Sequence, residues 1–212
     1  MKNIVWDWNG TLLNDLDLCL WILNSMLEKR SIPRVPLEKY LEIFTFPIID
    51  YYRKAGFDFE KEPYPVLADE FMALYDANVP SVGLFSGAEE ILKYFKDCGV
   101  KQYVLSTTRE KELVLQVKAS GIDGYFEEIC GTDTILAHGK REIAKSWAER
   151  HKDELSESVF IGDTLHDNEV AEIMGIDCIF FARGHMSKSR LLSAGKRIAD
   201  DYEDLKKWIG KE

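Results

Sequence analysis

Long apolar runs are missing from this chain of 212 residues: none reaches the roughly 18 residues that a membrane-spanning helix needs. A basic leader followed by an apolar core is missing too, so the protein is expected to be cytoplasmic. Cysteine is scarce. Cys19, Cys98, Cys130 and Cys178 lie far apart with no C-x-x-C spacing, which excludes a zinc site built on cysteine and leaves reduced, core-filling thiols. The four histidines, His138, His151, His166 and His185, form no spaced metal set and read as exposed or as supporting neighbours of site residues. Basic residues number 27 against 37 acidic ones, and no basic block interrupts the resulting charge of −10. Such a field excludes nucleic acid and anionic membranes as partners. It repels a phosphorylated substrate as well, which would need a local positive charge from a metal or a placed lysine. No internal repeat or low-complexity segment is present.

What is present is the composition of a globular protein, 46 % hydrophobic and 30 % charged. A chain of this length buries roughly 70 % of its unfolded surface and suffices for one core domain plus a smaller insert, as a monomer or weak homodimer. The most informative stretch is the first. Lys2 to Trp6 is a short apolar run that reads as a buried strand, and it ends in Asp7-Trp8-Asn9-Gly10-Thr11-Leu12. A carboxylate at the end of a buried strand is costly unless something pairs with it. In an open α/β sheet that end is also where ligands sit. Gly10 permits a tight turn whose N–H groups can converge on an anion, so Asp7 is placed as a nucleophile or metal ligand beside a phosphate-sized nest.

The rest of the chain divides in two. From residue 14 to residue 80 the apolar spacing is helical throughout, including Leu16, Leu20, Leu23 and Leu27, and no strand is convincing. This predicts an all-helical cap over 14–80, inserted into a core of 1–13 and 81–212. In the core, strands at Gln102–Leu105, Tyr125–Cys130, Ser158–Ile161 and Cys178–Phe181 alternate with helices. Three helices end in Gly followed by a β-branched residue: Gly99-Val100, Gly121-Ile122 and Gly175-Ile176. The alternation predicts an α/β fold with a Rossmann-like, doubly wound parallel sheet.

Three further segments fall where ligands are expected. After the second strand comes Ser106-Thr107-Thr108, in which Thr107 and Glu110 have the spacing of a capping box while the Ser106 hydroxyl stays free. Lys140 lies in the first turn of a helix, where a cation opposes the macrodipole unless it leans over an anion, and Lys145 competes with it. The strand Ser158–Ile161 runs into Gly162-Asp163-Thr164-Leu165-His166-Asp167. Asp7 and Asp163 converging in one crevice would repel each other, and a bound cation removes that cost. All-oxygen ligands point to Mg²⁺, held by Asp7, Asp163 and the Asn9 carbonyl, with Asp167 on a metal-bound water or bracing Lys140.

These segments, in this order, resemble the motifs of the haloacid dehalogenase superfamily, with the helical insert matching a cap between the first two. The resemblance implies a phosphatase in which Asp7 attacks phosphorus. It also implies that Ser106 and Thr107, together with Gly10 and Thr11, bind the phosphoryl group. Lys140 then neutralises nucleophile and phosphate, and Asp163 and Asp167 serve the metal. The substrate would be a small phosphorylated metabolite, as in the phosphoglycolate phosphatase-like branch. The chain departs at Asn9, where the superfamily's phosphatases carry the general-acid Asp. Losing general acid–base catalysis costs about 10²–10⁴-fold, so turnover is expected to be slow, least so for aryl and acyl phosphates. The alternatives are a phosphate-binding or regulatory protein that has given up catalysis, and a phosphonate hydrolase. The latter needs a cap lysine as Schiff base, for which Lys39 or Lys54 is available. Arg53 is a candidate contact for a substrate anion.

Overall fold

The computed structural model describes residues 1–132 and 138–209, the side chain of His138 excepted. Six parallel strands lie in the order β3-β2-β1-β4-β5-β6: β1 Asn3–Trp6, β2 Lys101–Arg109, β3 Glu128–Thr132, β4 Ser158–Gly162, β5 Asp177–Phe181 and β6 Arg197–Ala199. Helices α1 Leu16–Lys29, α2 Leu37–Ile43, α3 Ile48–Ala55 and α4 Tyr64–Asn78 fill the interval between β1 and α5 Ala88–Asp97. The others are α6 Glu110–Ala119, α7 His138–Arg150, α8 Leu165–Met174, α9 Lys188–Leu192 and α10 Tyr202–Trp208. This is the expected doubly wound α/β sheet with a helical insertion.

Strand periodicity sorts the core into two layers. Ile4 and Trp6 of β1 pack with Ile91 and Phe95 of α5, Val117 of α6 and Leu205 of α10. Val5 packs on the other side with Trp147 of α7 and Val170 and Met174 of α8. Apolar residues of the insertion, such as Ile22, Leu23, Tyr52 and Leu67, belong to the first cluster without a break. Asp7, two residues past Val5, therefore emerges on the side where α7 arrives.

Three sequence readings change. Residues 123–125 form a 3₁₀ turn, and the strand expected at Tyr125–Cys130 starts at Glu128 and runs to Thr132. The second strand continues to Arg109, with an irregular register against β3 between Leu105 and Arg109, so Thr107 sits in a strand and caps nothing. Its carbonyl instead accepts from the Thr132 hydroxyl at 3.0 Å. Beyond Phe181 the chain adds β6 and α9, short elements with too few residues to show a period. The Gly-terminated helix ends form as expected, Gly175 at φ 71° with Ile176 buried behind it. No helix among the described residues is long and apolar enough to cross a membrane.

Candidate active site

β1 and β4 are neighbours at the point where the strand order reverses, and their carboxyl ends form one crevice. The Asp7 N–H remains in the ladder, donating to the Ile161 carbonyl at 2.8 Å, which fixes the backbone beneath its carboxylate. The loop then turns at Gly10, φ +70°, where a Cβ would run into the Asp163 carboxylate and the His185 ring. Gly184, in the loop after β5, faces the same carboxylate and the Gly10 carbonyl equally closely. These two glycines let the loops after β1 and β5 close around Asp163.

Lys140, the third residue of α7, is 3 % exposed. Its ammonium donates to Asp7 Oδ1 and, at 2.6 Å, to Asp167 Oδ1. Lys145 is exposed, in a shallow surface groove with Arg141, Glu142 and Ile173, away from these acids. The other oxygen of Asp167 accepts from the Thr164 N–H and hydroxyl at 2.9 and 2.8 Å, a capping box for α8. Asp167 is thus the brace of Lys140. Asp163 Oδ2 accepts the His185 N–H at 2.6 Å, and its Oδ1 lies 3.5 Å from the Thr11 hydroxyl.

Oxygens of Asp7, Asp163 and Asp167 all lie within 4.8 Å of one another. Burial lifts the Asp7 carboxyl well above the usual range, against the pull of Lys140. Burial likewise takes Asp163 up to about 7, with His185 opposing and Asp167 adding. For Asp167, burial is outweighed by Lys140 and Thr164, and its carboxyl stays low. Lys140 is held protonated: the charges of Asp167 and Asp7 outweigh its burial. Three buried carboxylates cluster here and the Lys140 ammonium bonds two of them, Asp7 and Asp167, so the set is short of positive charge and consists of hard oxygen donors. The residues present fit a divalent cation, and Asp7, Asp163 and the Asn9 carbonyl are the ones that would hold it.

The Asn9 side chain is fully engaged. Asn9 Oδ1 accepts from Thr108 Oγ1 at 2.9 Å and from Ser106 Oγ at 3.3 Å. Its Nδ2 donates to Tyr75 Oη at 2.7 Å and to Asp15 Oδ2 at 2.9 Å. Asp15 is buried and also accepts from the Tyr75 hydroxyl at 2.8 Å, the Gly10 N–H at 2.9 Å and the His185 ring at 3.1 Å. Burial would raise Asp15, but the His185 charge and these donors hold it low. Burial would lower His185, but the charge and bond of Asp15 take it up to about 9, and its other ring nitrogen lies 2.8 Å from the Tyr40 hydroxyl.

Two expectations are corrected here. The Gly10 N–H is spent on Asp15 and does not form an open anion nest, and Thr11 is fully buried, its carbonyl accepting the Tyr202 hydroxyl at 2.6 Å. Ser106 is fully buried and turned to Asn9 and Thr108, whereas Thr107 and Thr108 line the cavity above Asp7. That cavity holds about 400 Å³, and its floor includes Asp7, Asn9, Lys140 and Asp163. Lys39 and Lys54 are exposed and Arg53 pairs with Asp50 at 2.5 Å; none of the three lines the cavity. His185, read as exposed or supporting, is a buried post of the site, and His166 stacks on Phe46 at 4.6 Å.

Sequence reasoning passed over Asp15, Tyr75, Thr108 and Gly184. A glycine just past a strand end at this sheet edge was an available signal for Gly184; Tyr75 carried none, being one aromatic among many in the insertion. If Gly184 acts as described, Gly184→Ala should displace Asp163 and weaken Mg²⁺ binding about 10–100-fold, measured by calorimetric titration. Unchanged affinity would remove Gly184 from the account.

A parallel α/β sheet with an acid at the end of its central strand and a lysine-braced acid pair opposite defines a hydrolase site of the doubly wound class. The haloacid dehalogenase-like hydrolase family model matches residues 4–181, and the chain belongs to that family. It is 24 % identical over 189 residues to phosphoglycolate phosphatase of Caulobacter vibrioides, covering 86 % of this chain and 79 % of the relative. Among solved structures, a haloacid dehalogenase-like hydrolase from Streptococcus pneumoniae superposes with TM-score 0.83 at 16 % identity, covering 98 % of both chains. A haloacid dehalogenase-like protein of unknown function from Agrobacterium tumefaciens gives 0.81 at 19 %, covering 99 % of this chain and 97 % of that one.

Proposed function

We propose that this hydrolase is a Mg²⁺-dependent phosphatase of small phosphorylated compounds that works through an aspartyl phosphate on Asp7. The observation that carries the reading is the convergence of Asp7, Asp163 and Asp167 at the floor of one cavity, with Lys140 bonded to Asp7 and Asp167. The phosphoglycolate phosphatase relative supports the same reaction class. An Asp7 oxygen attacks phosphorus, and the leaving oxygen departs with the P–O electron pair. Lys140 balances charge on Asp7 and on the phosphoryl group, and Asp167 keeps the ammonium in place. Thr107 at the cavity wall supplies a hydroxyl for the phosphoryl oxygens, whereas the Thr108 hydroxyl and N–H are committed to Asn9 and Ser106. Mg²⁺, when bound, supplies Lewis-acid neutralisation of the phosphoryl charge.

Asn9 has no acidic proton to give the leaving group and no basic oxygen to activate the water that frees Asp7. Turnover is therefore slow for substrates whose leaving group must be protonated. The clamp on Asn9 also favours a second reading, a phosphate-binding protein without catalysis. Phosphate release from a panel of phosphate esters and acyl phosphates, with Mg²⁺ and with EDTA, decides between them. Release that EDTA abolishes is the expected result, and binding without release would establish the second reading. The phosphonate-hydrolase alternative loses support because Lys39 and Lys54 are exposed and do not line the cavity; among the described residues, Lys140 is its only lysine.

A further inference from the structure

Every residue that the helical insertion contributes to the cavity wall between Tyr40 and Asp76 is neutral or acidic. The wall is built of Phe44, Phe46, Ile48, Tyr51, Phe71 and Met72, and the one charged group on it is Asp76. The rings are held edge to face or tilted: Phe44 meets Phe46 at 88° and 5.8 Å, and Tyr51 at 57° and 5.2 Å. Arg109, at the rim on the sheet side, has Glu112 3.9 Å away. The other cations that border the cavity are already paired, Lys140 with Asp7 and Asp167, and His185, stacked on Phe44, with Asp15. Among the described residues, a leaving group carrying its own carboxylate therefore finds no unpaired cation beside this wall and would be desolvated against aromatic carbon, which is costly. A flat apolar ring is what such a surface accepts, by burial and by edge-to-face contact. Asn9 selects in the same direction, because it favours leaving groups that depart as stable anions without a proton.

Resting on the phosphatase reading above, we infer that the preferred substrates are phosphates whose leaving group is an aromatic ring bearing the oxygen directly or through a carbonyl: aryl and aroyl phosphates, in preference to small carboxylated esters such as phosphoglycolate. In the first step a bond forms from Asp7 to phosphorus and the bond to the leaving oxygen breaks, releasing a phenolate or aroate that takes no proton. In the second, water attacks phosphorus, the Asp7–phosphorus bond breaks, and the water's proton passes to solvent with inorganic phosphate as product.

The test compares acetyl phosphate with benzoyl phosphate, and phosphoglycolate with phenyl phosphate, on the wild-type chain with Mg²⁺. The two acyl phosphates have leaving groups of similar acidity and differ by the ring. Benzoyl phosphate should have a kcat/KM about 10- to 100-fold above acetyl phosphate, the range for burying one phenyl group. Phenyl phosphate should exceed phosphoglycolate, and phenylphosphonate should inhibit acetyl phosphate turnover more tightly than methylphosphonate by a similar factor. Met72→Asp should bring the benzoyl-to-acetyl ratio toward unity. Should that variant fail to fold, the phosphonate comparison on the wild type still decides. Turnover of acetyl phosphate with no gain from the ring, or a preference for phosphoglycolate, overturns this inference and leaves the phosphatase reading intact. No phosphate release from any of the four overturns both.

Discussion

Replacing Lys140 by Met should lower the melting temperature of the metal-free protein by about 10 °C, the consequence of losing about 3–5 kcal/mol when a buried ion pair is broken. Turnover should fall about 10²–10³-fold, the usual loss when one preorganised charge-stabilising group is removed. The two effects have one cause. Asp7 and Asp167 are both buried and both face the same ammonium, so without it two carboxylates confront each other with nothing between them. Asp7, whose carboxyl burial already pushes upward, would take up a proton and cease to be a nucleophile. Mg²⁺ should restore part of the lost stability and little of the rate, because it does not replace a donor at that position. Lys145→Met, at an exposed site, should change neither. Differential scanning fluorimetry with and without Mg²⁺, beside steady-state kinetics, checks both halves; a Lys140→Met protein as stable and active as wild type would dismiss the lysine from the mechanism.

Asn9→Asp should raise turnover of alkyl phosphates about 10²–10⁴-fold while changing aryl phosphates only a few-fold, because only the former need a proton delivered. The structure adds a cost. An acid at position 9 would place its oxygen where Asn9 Nδ2 now meets Asp15 Oδ2 at 2.9 Å, converting a donor–acceptor contact into two facing acceptors. The new carboxyl would hold its proton to a higher pH beside the ionised Asp15. That is the state in which it can donate to a leaving group, and the fold would be less stable for it. Adding Asp15→Asn should recover the stability, since an amide there can donate across the same contact. Equal gains on alkyl and aryl substrates would refute this role for position 9.

The residue type at position 9 is thus coupled to the one at position 15, and nothing local in the sequence says so. Asp15 reads there as the acidic start of a helix, which it also is, preceding Leu16. Its carboxylate caps no N–H of α1 and instead collects donors from Gly10, Asn9, Tyr75 and His185. Thr107 and Glu110 show the opposite failure: the spacing of a capping box is present, but pairing with β3 extends the strand through Thr107, so ladder bonds override the local signal.

What the sequence by itself determined is the framework. Periods of 3.6 and 2 separate the helical insertion from the alternating core. Glycines that only a helix end or a tight loop requires mark the boundaries, and acids placed just past apolar strands mark the edge of the sheet where ligands bind. Each of these signals acts between neighbours in the chain, so each survives in the bare order of residues. Tertiary structure alone decided that Lys140 and not Lys145 reaches Asp7, 133 residues away, and that Tyr75 and His185 complete the setting of Asn9 and Asp15 from 66 and 170 residues away. Those contacts are set by the lateral order of strands and the docking of helices on them, and no periodicity along the chain encodes which distant donor will face which buried acid.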